Sequence, residues 1–150
     1  VLGCAIGFAE LLAAGQIKRL PRLFVAQPLN CSPVDASFQA GVDTLVARDV
    51  LPTVAEGTAI RQPVRLREVL QAIRASGGQT VAVPEADIIA AVRKLAAMGL
   101  YAEPTSATAA AALDRLRARG AIRDAERTVV LLTGTGIKAT QFMTDLYSAA

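Results

Sequence analysis

The residues best placed to do chemistry are Thr133–Ala139, T-G-T-G-I-K-A, which directly follow the apolar run Thr128–Leu132 (TVVLL). Gly134, Gly136 and Ala139 meet the G-x-G-x-x-G/A spacing, whose glycines let the backbone close around a phosphate at a helix start. That chemistry also needs an acidic side chain about 20 positions later to hold a ribose, and none follows at that distance before Ala150. The dinucleotide reading fails, and a glycine turn joining a strand to a helix accounts for the motif. A second candidate is Glu103-Pro104-Thr105-Ser106-Ala107, where two hydroxyls and the free N–H groups of a helix start could face a ligand. Spacing alone favours a plain N-cap there. Glu56, beside Gly57, is a lone carboxylate and reads as a solvated loop residue.

What is missing narrows the chemistry further. The 150 residues include no histidine, and the two cysteines, Cys4 and Cys31, have no C-x-x-C spacing. A zinc site and a Ser-His-Asp hydrolase are thereby excluded, and no metal is expected. Sixteen basic residues against thirteen acidic give a net charge of +3, with the arginines dispersed and aromatics at 4%, which argues against nucleic-acid binding. Glu10, Lys18 and Asp87 interrupt the apolar stretches before any could cross a bilayer, so no membrane partner is expected and a cytoplasmic, reducing setting is. A hydrophobic fraction of 53% is enough for one core in one domain. The chain opens Val1-Leu2-Gly3, inside an apolar run with no cap before it; we expect the protein to begin earlier and this piece to expose extra apolar surface, in keeping with a mean hydropathy of +0.40.

These candidates need elements to position them. Gly3–Ala14 reads as a helix closely packed through its small residues and ended by Gly15. Leu23–Gln27 reads as a buried parallel strand, followed by a helix with Ser32 as N-cap and Pro33 in its first turn. Residues 43–61 read as loop with a possible short helix. Pro63–Ala75 has the spacing of an amphipathic helix with Val64, Val69, Leu70 and Ile73 inward. Then come a strand at Gln79–Val83, a helix from Pro84 to Met98, a short strand at Leu100–Ala102, a helix capped by Thr105 or Ser106 and running to Arg119, and a strand at Thr128–Leu132. Helices alternating with short buried strands predict an α/β fold with a mostly parallel sheet, whose ligands sit at the carboxyl ends of strands.

Several segments taken together resemble the second half of threonine synthase. They are G-F-A-E-L-L-A-A-G-Q-I-K-R-L-P-R-L (Gly7–Leu23), Ala26-Gln27 with Ser32-Pro33-Val34, and T-V-A-E-G-T-A-I-R-Q-P-V-R (Thr53–Arg65). E-P-T-S-A (Glu103–Ala107) and L-T-G-T-G-I-K-A (Leu132–Ala139) are similar to its last two blocks, in the same order. The last two are shared more loosely with threonine and serine dehydratases, so the P-R-L and A-E-G-x-A-I-x-x-P-V-R blocks tip the resemblance towards threonine synthase.

The resemblance implies a pyridoxal 5'-phosphate enzyme of the tryptophan-synthase-beta-like fold type II, with residues 1–150 as the carboxy-terminal portion of its catalytic domain. The implied reaction, a lyase step, takes O-phosphohomoserine and water to threonine and phosphate. Alternatives are a threonine or serine dehydratase and a non-catalytic interaction or regulatory domain of the same fold. A small amino-acid substrate and a homodimer are expected. By the same resemblance the cofactor-binding residues are Thr133, whose hydroxyl would face the pyridine nitrogen, and Glu103 and Ser106 near the ring, with Thr105 beside them. Gly3 corresponds to a position in the helix just after the phosphate loop. The Schiff-base lysine of the family precedes Asp or Asn and Arg; Lys18, Lys94 and Lys138 lie in no such context, so no catalytic residue is assigned.

Overall fold

The computed structural model describes residues 1–148. Its centre is a pair of parallel strands, β1 (Val25–Pro28) and β2 (Thr80–Val83), in the register Val25↔Thr80, Ala26↔Val81, Gln27↔Ala82 and Pro28↔Val83. Side chains alternate across a strand, so Val81 and Val83 enter one cluster while Thr80 turns to the opposite layer, where its hydroxyl donates to Asp35 Oδ1 at 2.7 Å. On that opposite face lie α2 (Pro33–Gln39) and α3 (Leu66–Ala75), burying Val34, Leu66, Leu70 and Ile73. The other face carries α4 (Glu85–Ala97) and α5 (Pro104–Ala118).

Helix spacing explains both layers. In α4, Ile88, Ala91, Val92 and Leu95 recur at three- and four-residue steps and form one buried stripe. Ala107, Ala111 and Ala112 of α5 are small enough for the two helices to approach closely, and Leu116 fills the far end. Gly99 (φ 79°) and Gly120 (φ 70°) hold the left-handed position after these helices, where a side chain would be strained. Gly78 is needed for another reason. A Cβ there would run into the Leu23 backbone carbonyl, because the turn into β2 lies directly against the turn into β1.

The remaining elements are α1 (Leu2–Ala13), α6 (Thr140–Ser148) and single 3-10 turns at Leu29–Cys31, Glu56–Thr58 and Gly136–Ala139. The turn at Glu56–Thr58 is the only helical geometry in residues 43–61. Helix α1 forms where expected but does not pack as expected. It buries no residue, although a helix this apolar around its circumference would ordinarily be buried.

Three other expectations are corrected. Thr128–Leu132 forms no strand: it has no ladder partner among the described residues, and Val129 and Leu131 are 78% and 61% exposed. β-branched side chains favour strand geometry, yet a strand also needs a neighbour with free backbone groups. The short strand at Leu100–Ala102 is reduced to one antiparallel bridge, Ala102↔Thr135. Val64 is 97% exposed, because α3 begins only at Leu66.

Capping also differs from the spacing rules. Ser32 sits at the N-cap of α2, but its hydroxyl donates to the Leu29 carbonyl. The helix is capped from a distance by Gln27 Oε1, which accepts from the N–H groups of Val34 (2.9 Å) and Asp35 (3.1 Å). The N-cap of α5 is Glu103, so Thr105 and Ser106 lie inside the first turn with their hydroxyls free for other work. No described helix is long and apolar enough to cross a membrane.

Candidate functional site

The beginning of α5 is where the separate motifs meet. Backbone bonds run from Glu103 N–H to the Gly134 carbonyl (3.2 Å) and from Gly136 N–H to the Tyr101 carbonyl (2.9 Å), around the Ala102↔Thr135 bridge. They lay the Thr133–Gly136 turn across the residues that lead into the helix. Ser106, 1% exposed, accepts from the Gly134 N–H at 2.7 Å and lies 3.3 Å from the Thr133 hydroxyl. A third segment arrives from the other side, where Gly57 N–H donates to Thr105 Oγ1 at 3.2 Å. Glu85 of α4 steadies that loop by accepting from Val54 N–H at 2.8 Å.

Both glycines of the turn lie in close approach to side chains of the segment leading into α5. A Cβ on Gly134 would occupy the space of the Glu103 carboxylate, and one on Gly136 would come within 2.7–2.9 Å of the Tyr101 ring. Glu103, Ser106 and Thr133, more than 25 residues apart in sequence at the extremes, are therefore brought together. Ser106 is buried beneath the turn, Glu103 is half-buried beside Gly134, and Thr133 is exposed at its rim. Gly3 lies apart from them in α1, with open space around it. Tyr101 escaped the sequence reading; an aromatic two residues before the E-P-T-S block was the available signal.

Beside the turn is a cavity of about 290 Å³ walled by Leu100, Tyr101 and Leu132 and floored by Thr133, Gly134 and Thr135. It offers apolar walls, close backbone and the exposed threonines Thr133 and Thr135. Among the described residues, no lysine lines this cavity. Neither cysteine supplies a nucleophile there: Cys31 is buried, and burial pushes its thiol up against a smaller lowering by the Arg61 guanidinium, while Cys4 lies in α1.

Parallel strands covered by helices on both faces define the α/β class of folds. Residues 1–134 match the family described as pyridoxal-phosphate dependent enzyme, and the chain belongs to that family. Its cofactor is pyridoxal phosphate. The chain is 34% identical over 138 residues to the threonine synthase of Methanocaldococcus jannaschii, covering 88% of this chain and 33% of that protein. It is 32% identical to the threonine synthase of Methanosarcina acetivorans, over 93% of this chain and 35% of that one. With the chloroplastic threonine synthase 2 of Arabidopsis thaliana it shares 29% identity, over 95% of this chain and 28% of that one. The chain thus spans about a third of the length of these relatives. Among solved structures, maize serine racemase superposes with a TM-score of 0.62 at 17% identity, over 86% of this chain and 39% of that chain. A threonine deaminase from T.th. does so at 0.53 and 22% identity, over 78% and 52%. These likenesses establish the α/β fold of type II pyridoxal-phosphate enzymes.

Proposed function

We propose that the protein works as a threonine synthase-like lyase, converting O-phosphohomoserine and water to threonine and phosphate, with residues 1–150 as the carboxy-terminal portion of its catalytic domain. The observation that carries the reading is the convergence of the A-E-G, E-P-T-S-A and T-G-T-G blocks on one helix start. The identity to threonine synthases over most of the chain supports the choice of reaction. When bound, the cofactor supplies an electron sink for carbanion chemistry.

The chain's own residues then have defined tasks. Thr133 would hold the pyridine nitrogen of the bound cofactor through its hydroxyl, a neutral partner that, unlike a carboxylate, would not keep that nitrogen protonated. Ser106 lies within hydrogen-bond reach of the Thr133 hydroxyl and orients it, while its bond to Gly134 N–H keeps the turn in place. Glu103, whose carboxylate fills the space that Gly134 leaves open, would lie beside the bound cofactor. Leu100, Tyr101 and Leu132 form the apolar side of the cavity. The substrate is a small amino acid, and the complete enzyme is a cytoplasmic homodimer.

Two measurements on the full-length protein test the reading. Turnover of O-phosphohomoserine should release threonine and phosphate together, whereas a threonine or serine dehydratase would release ammonia and a 2-oxo acid instead. Thr133→Val keeps the β-branched shape and removes one hydrogen bond of about 1 kcal/mol, so the fold should survive. Cofactor affinity and absorbance should both change. Thr128→Val, at the far end of the same run, should leave them as they are. Unchanged affinity and absorbance in Thr133→Val would refute the assignment of that hydroxyl.

A further inference from the structure

A second cleft, larger than this cavity, lies away from the site. It measures about 480 Å³ and is lined by Asp35 and Gln39 of α2, Val81 and Ala82 of β2, and Arg115 and Arg119 at the end of α5. Helices from opposite faces of the sheet can share a cleft only beyond a strand edge, so this one runs along the edge of β2 away from β1. Charges of both signs face it. Asp35 is 8% exposed, and its Oδ1 accepts from the Thr80 hydroxyl at 2.7 Å and from Gln39 Nε2 at 3.4 Å. Oδ2 has no partner among the described residues. Arg119 reaches the Thr80 carbonyl at 2.7 Å, and Arg115 pairs with Asp87 at 2.7 Å at the mouth. Neither arginine closes onto Asp35; Thr80 stands between the carboxylate and the Arg119 guanidinium, bonded to both.

We propose that this cleft binds a small zwitterion, its ammonium group on Asp35 Oδ2 and its carboxylate on the free N–H groups of Arg115 and Arg119. Asp35 Oδ2 is open to the cleft, where a donor can reach it, and charge-assisted bonds are the strong ones. Simpler ligands fit less well. A divalent cation would meet one carboxylate and two guanidinium groups, and a phosphate would meet the buried Asp35. Arg115 in the last turn of α5 and Arg119 at its C-cap both line the cleft, and guanidinium forks suit a carboxylate. The small apolar floor of Val81, Ala82 and Ala118 favours a short methylene chain between the two charges.

The test uses the full-length protein with saturating pyridoxal phosphate and equilibrium dialysis of radiolabelled glycine, β-alanine and 4-aminobutyrate, whose charges are progressively further apart. Acetate and ethylammonium each carry one of the two charges. At least one zwitterion should bind saturably without altering the cofactor absorbance, and neither single-charge probe should bind comparably. Asp35→Asn retains an acceptor for Thr80, and Arg115→Gln touches only an exposed ion pair. Each should weaken binding about tenfold, equivalent to about 1.4 kcal/mol. The proposal is overturned by any of three results: no saturable binding of the three zwitterions, equal binding of acetate, or binding that both substitutions leave unchanged. Because the readout ignores turnover, failure here leaves the threonine synthase reading standing, and failure of that reading leaves this site standing.

Discussion

Ser106→Ala probes the join between the glycine turn and α5. The side chain is 1% exposed, and its oxygen is an acceptor for the Gly134 N–H at 2.7 Å. Removing it leaves that donor half-buried without its partner, a loss of about 1.5 kcal/mol within the usual range for a buried unpaired group. Alanine regains about 0.5 kcal/mol through its better helix propensity inside α5. The net expectation is about 1 kcal/mol, or a fall of about 3 °C in Tm for a domain of this size. Urea denaturation with unchanged m would measure the first figure. Hydrogen exchange should show the Gly134 amide losing protection in the variant, whereas the Ala111 and Ala112 amides deeper in α5 keep theirs. Stability within about 0.3 kcal/mol of the parent together with an equally protected Gly134 amide would refute the reasoning. Its cofactor affinity should also fall, since Thr133 would lose the group that orients it.

Two glycines should respond in opposite senses to alanine. Gly78→Ala places a methyl group on the Leu23 backbone, which cannot move aside, and should cost about 3 kcal/mol by urea denaturation; Gly7→Ala, with open space around it in α1, should stabilise by about 0.5–1 kcal/mol. Glu126 provides a pH signature: its carboxyl is held below the ordinary glutamate range, chiefly by the Arg123 backbone N–H and then by the Arg123 and Arg22 side chains. A depressed folded-state pKa stabilises above the unfolded value, about 4.3, and that contribution disappears as pH falls through the folded one. Glu126→Gln should therefore lower Tm at pH 7 and flatten its decline below about pH 4.3, read from melts across pH.

Much of the fold was legible because it rests on local rules. The periodicity of Ile88, Ala91, Val92 and Leu95 marks α4 without reference to any neighbour, and Gly99 and Gly120 mark the helix ends because few other residues tolerate positive φ. The apolar runs before Gln27 and Val83 became strands because each had the other to pair with. Thr128–Leu132 has at least as strong a β composition and formed no strand, since pairing depends on a partner that composition does not name. The same distinction holds at the site. The E-P-T-S-A and T-G-T-G blocks, and the family they point to, were readable in the order of residues. That Ser106 is an acceptor buried under Gly134, and not a cap for α5, depends on Glu103 starting the helix and on Tyr101 and Gly136 fixing the crossing of two distant segments. Asp35 likewise reads in sequence as an acidic residue in a first helical turn. Only the packing of α2 and α5 around the edge of β2 sets it across a cleft from two arginines, because distance through space is what charge responds to.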